Sequence, residues 1–346
     1  MKTLPDEFDE SELTTSLAEG WGFHAEVVEY EPVGFGSYHW VVADAEGRRG
    51  FVTVDDLDQK LWLGDTRAAR LDGLRCAFDT AAALRDAGLG FVVGPVRGRR
   101  GETVRPIGSK HTIALFPFVE GRAGRFGRYD TAEERAAVAE MLAELHRATP
   151  VVRGLARRGS LDVHGRPQLE SGLRDVNQPW EGGPLSEPAR LALANHADDI
   201  LALLAALDRL ARDVATRRTE WVVTHGEPHA ANVIRAEERL LLVDWDTVAV
   251  APPERDLWMI ETPTGDEIGL YADATGHRVD DVAIDLFRLA WDLADLAAYV
   301  STFRSAHRET PDTFDAYDNL VACAGVRDRW ASMLADPGSP TMRRKA

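Results

Sequence analysis

Residues 224–232 read Thr-His-Gly-Glu-Pro-His-Ala-Ala-Asn, and residues 243–246 read Val-Asp-Trp-Asp. Two strand-like runs, WVVTHG (221–226) and RLLLVDWD (239–246), bracket the loop between them. Together they bring His225, Glu227, Asn232, Asp244 and Asp246 into one short stretch of chain. Asn and Asp side chains supply the oxygen ligands that hard cations such as Mg²⁺ take. Glu227 lies five residues ahead of Asn232 and can sit across the same loop, where a carboxylate orients and deprotonates an acceptor hydroxyl. Phosphoryl transfer from a nucleotide needs this combination. Zinc is the competing reading, because histidines at i and i+4 bind it together on a helix face. Pro228 lies between His225 and His229, and the preceding run is strand-like, so that geometry is disfavoured.

The flanking sequence supplies the frame. Residues 25–33, 39–45 and 49–55 are short runs rich in Val and aromatics, separated by turns at Gly34–Ser37 and Ala45–Gly50. Residues 66–88 carry apolar side chains at helical spacing and end on Gly88. FVVGPV (91–96) and HTIALFPFV (111–119) read as two more strands. Beyond Gly121, residues 131–147, 187–217 and 280–306 are Ala- and Leu-rich with a helical period, and a last helix is expected over 316–334. The Pro/Gly-rich stretch 158–185 reads as a surface loop and the tail 338–346 as frayed. The predicted layout is α+β with two lobes. A small antiparallel β lobe with one main helix covers 1–116, a hinge covers 117–121, and a larger, mostly helical lobe covers 122–346. The second lobe holds the loop 225–232 and the pair 244–246, and a ligand cleft is expected between the two.

Composition excludes several classes. The chain has 346 residues, with 57 acids against 40 bases and a net charge of −17, which argues against a nucleic-acid partner and suits a cationic small molecule. No run approaches the ~20 apolar residues that span a bilayer. The acidic N-terminus lacks the apolar core of a secretory signal. Two cysteines, Cys76 and Cys323, cannot build a disulfide framework, so a cytoplasmic location is expected. The oligomeric state is not legible.

The pattern H-G-E-x-H-x-x-N followed by V-D-W-D resembles that of the aminoglycoside phosphotransferase family, a protein-kinase-like group that phosphorylates antibiotics, choline and other small molecules. The usual family pattern is H-G/N-D-x-x-x-x-N followed by I-D-W/F. GFGSYHW (34–40), LFPFVEG (115–121), APPERDLW (251–258) and WDLADLAAY (291–299) extend the likeness over most of the chain. GFGSYHW and FPFVEG look nearest to the spectinomycin-phosphotransferase-like branch. The resemblance implies a small-molecule kinase that moves the γ-phosphate of ATP or GTP, with Mg²⁺, to a hydroxyl of an aminoglycoside- or aminocyclitol-like acceptor. Glu227 stands as the base, Asn232 and Asp244 as Mg²⁺ ligands, and Asp246 as a holder of the metal or its waters. His225 packs under the loop; for His229 the residues leave open whether it orients the loop, touches the acceptor or is only a loop residue. The backbones of Pro117 and Val119 bond the adenine edge, and those of Gly34, Gly36 and Ser37 lie over the phosphates. Asp292 and Asp295, three apart on one helix face, either hold an acceptor amine or form a solvated acidic face.

Two departures bear on activity. Glu227 replaces the usual Asp with a side chain one methylene longer, and a displacement of about 1 Å can cost on the order of a hundredfold in rate if the loop is not rebuilt. Thr53 aligns with the strand-3 Lys that pairs the nucleotide phosphates. The only lysines are Lys2, Lys60, Lys110 and Lys345, and Lys60 would lie roughly 23 Å from Thr53 along an extended strand. It returns only if the chain turns sharply after Asp56; Lys110, Arg70 and Arg75 are other sources of charge. The helix 66–88 has no Glu, and Asp55 and Asp56 would repel phosphate if they faced the cleft. The alternatives are therefore a non-catalytic kinase-like binding protein and a nucleotidyl transferase on the same fold.

Overall fold

Asp9 opens the first element: its carboxylate accepts the Ser11 N–H (2.8 Å) and starts α1 (Glu10–Trp21), which ends at Gly22 in the left-handed region. Three strands follow, β1 (Ala25–Glu31), β2 (Tyr38–Asp44) and β3 (Arg49–Asp56), then α2 (Arg67–Asp86), β4 (Arg105–Ile107) and β5 (His111–Pro117). The five strands form one antiparallel sheet in the order β1-β2-β3-β5-β4. A computed structural model describes residues 1–5, 8–127, 129–217, 220–325 and 329–335.

Strand alternation sets two faces. Trp40, Val42, Val52, Val54, Ile113 and Leu115 pack with Leu13 and Leu17 of α1. Phe51, Ala114 and Phe116 pack with Leu74 and Phe78 of α2. The sheet is thus covered by two helices where the sequence predicted one. The missed helix, α1, buries little beyond Leu13 and Leu17, spaced i,i+4, and its other positions are mostly polar. The strand predicted over 91–96 does not form either. Val93 and Val96 each donate one backbone bond, to Leu242 and Leu115, but Pro95 has no N–H and Gly94 sits against the backbone of Ala81.

The chain continues through β6 (Arg122–Ala123), α3 (Ala132–Arg147), α4 (Thr149–Val152), α5 (Arg166–Arg174), α6 (Ser186–Ala194) and α7 (Ala197–Thr216). It then runs through β7 (Val222–Thr224), β8 (Val233–Ala236), β9 (Arg239–Leu242), β10 (Ala249–Ala251) and α8 (Glu254–Leu257). It closes on α9 (Asp266–Thr275), α10 (Asp281–Arg304), α11 (Pro311–Ala324) and α12 (Ala331–Ala335). Strands β6, β8 and β9 make a three-stranded sheet, and β7 pairs with β10. By contacts the chain divides into two compact units, Met1–Gly159 with Glu220–Val279, and Ser160–Thr219 with Asp280–Ala346. The predicted boundary at 116/117 falls inside the first.

The second unit is helical, around Leu203, Leu207, Leu289, Leu293, Phe303 and Leu320. The surface loop expected at 158–185 contains α5 instead, whose Leu169 and Leu173 join that core. Its Pro sits in the first turn, where the missing N–H costs nothing, so a residue read as a breaker starts a helix. The expected helix 187–217 is two helices, broken at Asn195 and His196. The tail 338–346 lies outside the described residues.

On α7, Leu203 is fully buried and Leu201 is 49% exposed. Leu203→Ala is expected to cost about 2–5 kcal/mol and Leu201→Ala under about 0.5 kcal/mol, measured by chemical denaturation.

Candidate active site

β3 ends on Asp55 and Asp56, and the chain then reverses. Asp56 caps the turn, accepting the N–H of Asp58 on its carboxylate (2.9 Å) and that of Gln59 on its carbonyl (3.0 Å). The reversal swings Lys60 back beneath the sheet. Its ammonium donates to Asp246 Oδ2 (2.7 Å), to Ser37 Oγ (2.8 Å) and to Asp55 Oδ1 (2.8 Å). Ser37 Oγ in turn donates to Asp55 (2.6 Å). Lys60 is 2% exposed, so burial opposes its charge. Asp246, Asp55 and Asp244 more than offset that, and hold the ammonium charged above the ordinary lysine range.

This corrects the distance argued along an extended strand. Thr53 is buried in the ladder opposite His39 and Ala114, and the cation beside Asp246 is Lys60. Asp55 faces the ammonium as its partner. The other candidates are engaged elsewhere: Lys110 binds Asp56 (2.7 Å), Arg70 the carbonyls of Gly64 and Leu57, and Arg75 Asp72. Gly34 and Gly36 take positive φ (72° and 84°), bending the loop that delivers Ser37. The Ser37 hydroxyl belongs to the Lys60 cluster. In the predicted hinge, Pro117 ends β5 opposite Gly50, and Val119 packs with Val93, Ala236 and Leu241.

The segment 225–232 hangs on Asp256. Its carboxylate accepts the backbone N–H of His225 (2.8 Å) and of Gly226 (2.6 Å) and a bond from His146 Nε2 (3.0 Å). Burial raises its pKa, but His146 and Arg255 outweigh burial and hold the carboxyl below the usual range. Arg255 bonds Thr224 Oγ1 (2.9 Å) and Thr247 O (2.8 Å). Gly226 sits at φ 101°, where a Cβ would lie 2.3 Å from that guanidinium, so only glycine fits.

His225 is fully buried, and burial pushes its imidazole down to about 4, so the ring is neutral. Nδ1 accepts the Glu227 N–H (3.2 Å), which leaves the proton on Nε2, donated to Val243 O (2.9 Å). Both nitrogens are thus spent inside the protein. Asn232 Nδ2 donates to Glu227 O (3.0 Å), which leaves its amide oxygen as the acceptor end. His229 lies 3.4 Å from that Nδ2 and edges onto Phe126. The Glu227 side chain is half-buried.

Asp244 adopts φ 66°, a strained backbone for a non-glycine residue. Its side chain is open to solvent yet ringed by protein. That surrounding, with Asp246 beside it and against the pull of Lys60, pushes its carboxyl up to about 7. Three carboxylates thus stand against one ammonium, and Asp55 Oδ2 is buried without a donor among the described residues. An excess of acceptor charge with a reachable Asp and an amide oxygen fits a divalent cation. No group of three or more His, Cys, Asp and Glu among the described residues is arranged as a metal site. The candidate set is instead Asn232 with Asp244 and Asp246.

Asp292 and Asp295 lie on α10 in the second unit. Asp292 accepts Trp330 Nε1 (2.7 Å) and pairs with Arg329 (3.4 Å). Asp295 is pushed up to about 7 by burial and by Asp292. Neither is a freely solvated surface acid. The sequence did not single out Asp256, His146 or Tyr129, and it left Lys60 conditional on a sharp turn after Asp56. Asp256 stood inside the quoted run APPERDLW, but the backbone amides it serves could not be read from it.

This geometry has a known setting. Residues 41–317 match the model of the phosphotransferase enzyme family, and the chain belongs to that family. A curated relative, Protein StrN of Streptomyces griseus, is 27% identical over 270 residues, covering 75% of this chain and 80% of its own. Among solved structures, spectinomycin phosphotransferase APH(9)-Ia in complex with ADP and spectinomycin superposes with a TM-score of 0.69 at 17% identity, over 92% of this chain and 98% of that one. Amicoumacin kinase hAmiN in complex with AMP-PNP, Ca²⁺ and Ami gives 0.58 at 13% identity, over 97% and 96%. These establish the kinase-like fold: an antiparallel sheet in the N-terminal region and helices in the C-terminal region. The chain is a phosphotransferase of small molecules. Among the described residues no helix is long and apolar enough to cross a membrane.

Asp256→Asn should cost about 3–5 kcal/mol at neutral pH, because one backbone N–H then meets an amide NH₂. The carboxyl of Asp256 is depressed in the folded state, so its stabilisation is present above the ordinary Asp range and lost as pH falls through the depressed value. The gap between wild type and variant should therefore narrow on acidification, as read from denaturation midpoints.

Proposed function

We propose that the protein transfers the γ-phosphoryl group of ATP or GTP to a hydroxyl of a small amine-bearing acceptor of the aminocyclitol antibiotic class. The observation that carries this is the Lys60 cluster. It restores, from the turn after β3, the buried cation whose absence at Thr53 had suggested a non-catalytic protein. Spectinomycin and ADP on one structural neighbour, and AMP-PNP with Ca²⁺ on another, support the substrate pair.

In this reading Lys60 binds nucleotide phosphate, and Asp55 takes the place of the helix Glu in holding it. Ser37 ties the Gly34–Gly36 loop to the same ammonium, so the loop and the cation move together. Asn232 and Asp244 hold Mg²⁺, with Asp246 beside them; the ion, when bound, neutralises phosphate charge. Glu227 accepts the proton of the acceptor hydroxyl, and its backbone is fixed on both sides by His225 and Asn232. Positioning and electrostatics carry most of the rate in this chemistry. Pro117 and Val119 present the hinge backbone to the nucleobase. Within the helical unit, Asp295 is the carboxylate suited to an ammonium.

Thermal-shift titration with ATP and GTP, with and without Mg²⁺, tests the reading. A Mg²⁺-dependent rise is expected, since a ligand that binds only the folded state stabilises it. Lys60→Met should abolish that rise relative to its own unliganded midpoint, while Thr53→Ala keeps it; the reverse pattern would remove Lys60 from the site. Asp244→Ala should lose metal-dependent binding and turnover. Glu227→Gln should keep nucleotide binding and lose transfer at least a hundredfold, on the order seen for misplaced catalytic groups. Pyrophosphate instead of ADP as the product would point to nucleotidyl transfer.

A further inference from the structure

The loop between β6 and α3 fastens three consecutive residues that follow Glu227. Tyr129 OH donates to Pro228 O (2.6 Å), the Phe126 ring edges onto His229 at 4.8 Å, and Gly124 N donates to Ala230 O (3.0 Å). Gly124 is obligatory, since a Cβ there would stand 2.5 Å from Ala230 O. The strap has its own footing. Arg135 donates to Tyr129 O (3.2 Å) and pairs with the buried Glu267, which also accepts Thr262 Oγ1 (2.7 Å). Tyr129 is 6% exposed, and burial raises its pKa, so the hydroxyl stays a donor.

The geometry points to Tyr129 as a positioning residue for phosphoryl transfer: by holding the Pro228 carbonyl it sets the depth at which Glu227 presents its carboxylate. This rests on Glu227 being the base. His225 and Asn232 fix the peptide groups of Glu227 itself. Tyr129 fixes the next peptide group at the Pro228 carbonyl, so the chain leaving Glu227 is held as well. The need is sharper here than with an Asp, because a side chain one methylene longer must be seated farther back to put its oxygens at the same place. Pro228 contributes a fixed φ but no N–H, so its carbonyl is the handle it offers. A buried bond of this length has no water to replace it.

The test is Tyr129→Phe, which deletes one oxygen, assayed by Mg²⁺-ATP and Mg²⁺-GTP hydrolysis to water. Turnover should fall roughly ten- to hundredfold, with the nucleotide thermal shift unchanged. Amide exchange at Asn232, whose N–H donates to His229 O (2.9 Å), should rise while α2 keeps its protection. In a Glu227→Gln background the same substitution should have no further effect on residual hydrolysis, because Tyr129 acts through Glu227. Equal losses in both backgrounds, an unchanged turnover, unchanged exchange, or a lost nucleotide shift would each overturn the assignment. Normal turnover in Glu227→Gln would instead sink the base, and hydrolysis of neither nucleotide by the wild type would sink phosphoryl transfer; the inference falls with either.

Discussion

Burying an ammonium ion is expensive unless carboxylates meet it, and Lys60 is buried. One partner, Asp55, comes from the strand that leads into it, and the other, Asp246, lies 186 positions away. The pair therefore does two things at once. It makes a cation available beside the metal-ligand candidates, and it fixes the sheet against the Val-Asp-Trp-Asp segment. Replacing Lys60 leaves buried carboxylates without their cation, so the cluster ties the site to the fold.

The second constraint is the set of backbone amides gathered on Asp256. Catalytic loops need a fixed path more than particular side chains, and a buried carboxylate that accepts two successive N–H groups supplies it. The neutral His225 then closes the loop against Val243, one residue before Asp244. The strained φ of Asp244 persists between these fastenings, on the segment that runs from Val243 to Asp246. The Tyr129 strap completes the enclosure from the other side of Glu227. The result is a loop with few internal degrees of freedom, near a segment whose Asp244 remains open to solvent.

Much of this was legible in the chain. The spacing of Glu227, Asn232, Asp244 and Asp246 is local, and a local pattern survives without knowledge of the fold. The β runs at 25–55 and 111–119 and the helices at 66–88, 131–147 and 280–306 also formed near their expected bounds, because their apolar periods are long and regular. What failed were short or weakly patterned elements. α1 hides two buried leucines among polar residues, α5 carries in its first turn a proline that looked like a breaker, and FVVGPV has the composition of a strand but is interrupted by Pro95, which has no N–H.

The sequence by itself determined the chemistry on offer: a carboxylate base, an amide and acids for a hard cation, and a family pattern that names the reaction class. The tertiary structure alone decided which cation lies beside Asp246. Thr53 occupies the expected place, and Lys60 lay out of reach along an extended strand unless the chain turned sharply after Asp56. The turn capped by Asp56 reversed the chain and brought the lysine back. Sequence distance measures contour length, whereas charge pairing depends on the folded path. That path was fixed by a carboxylate at position 246, which no local reading of residues 53–60 contains.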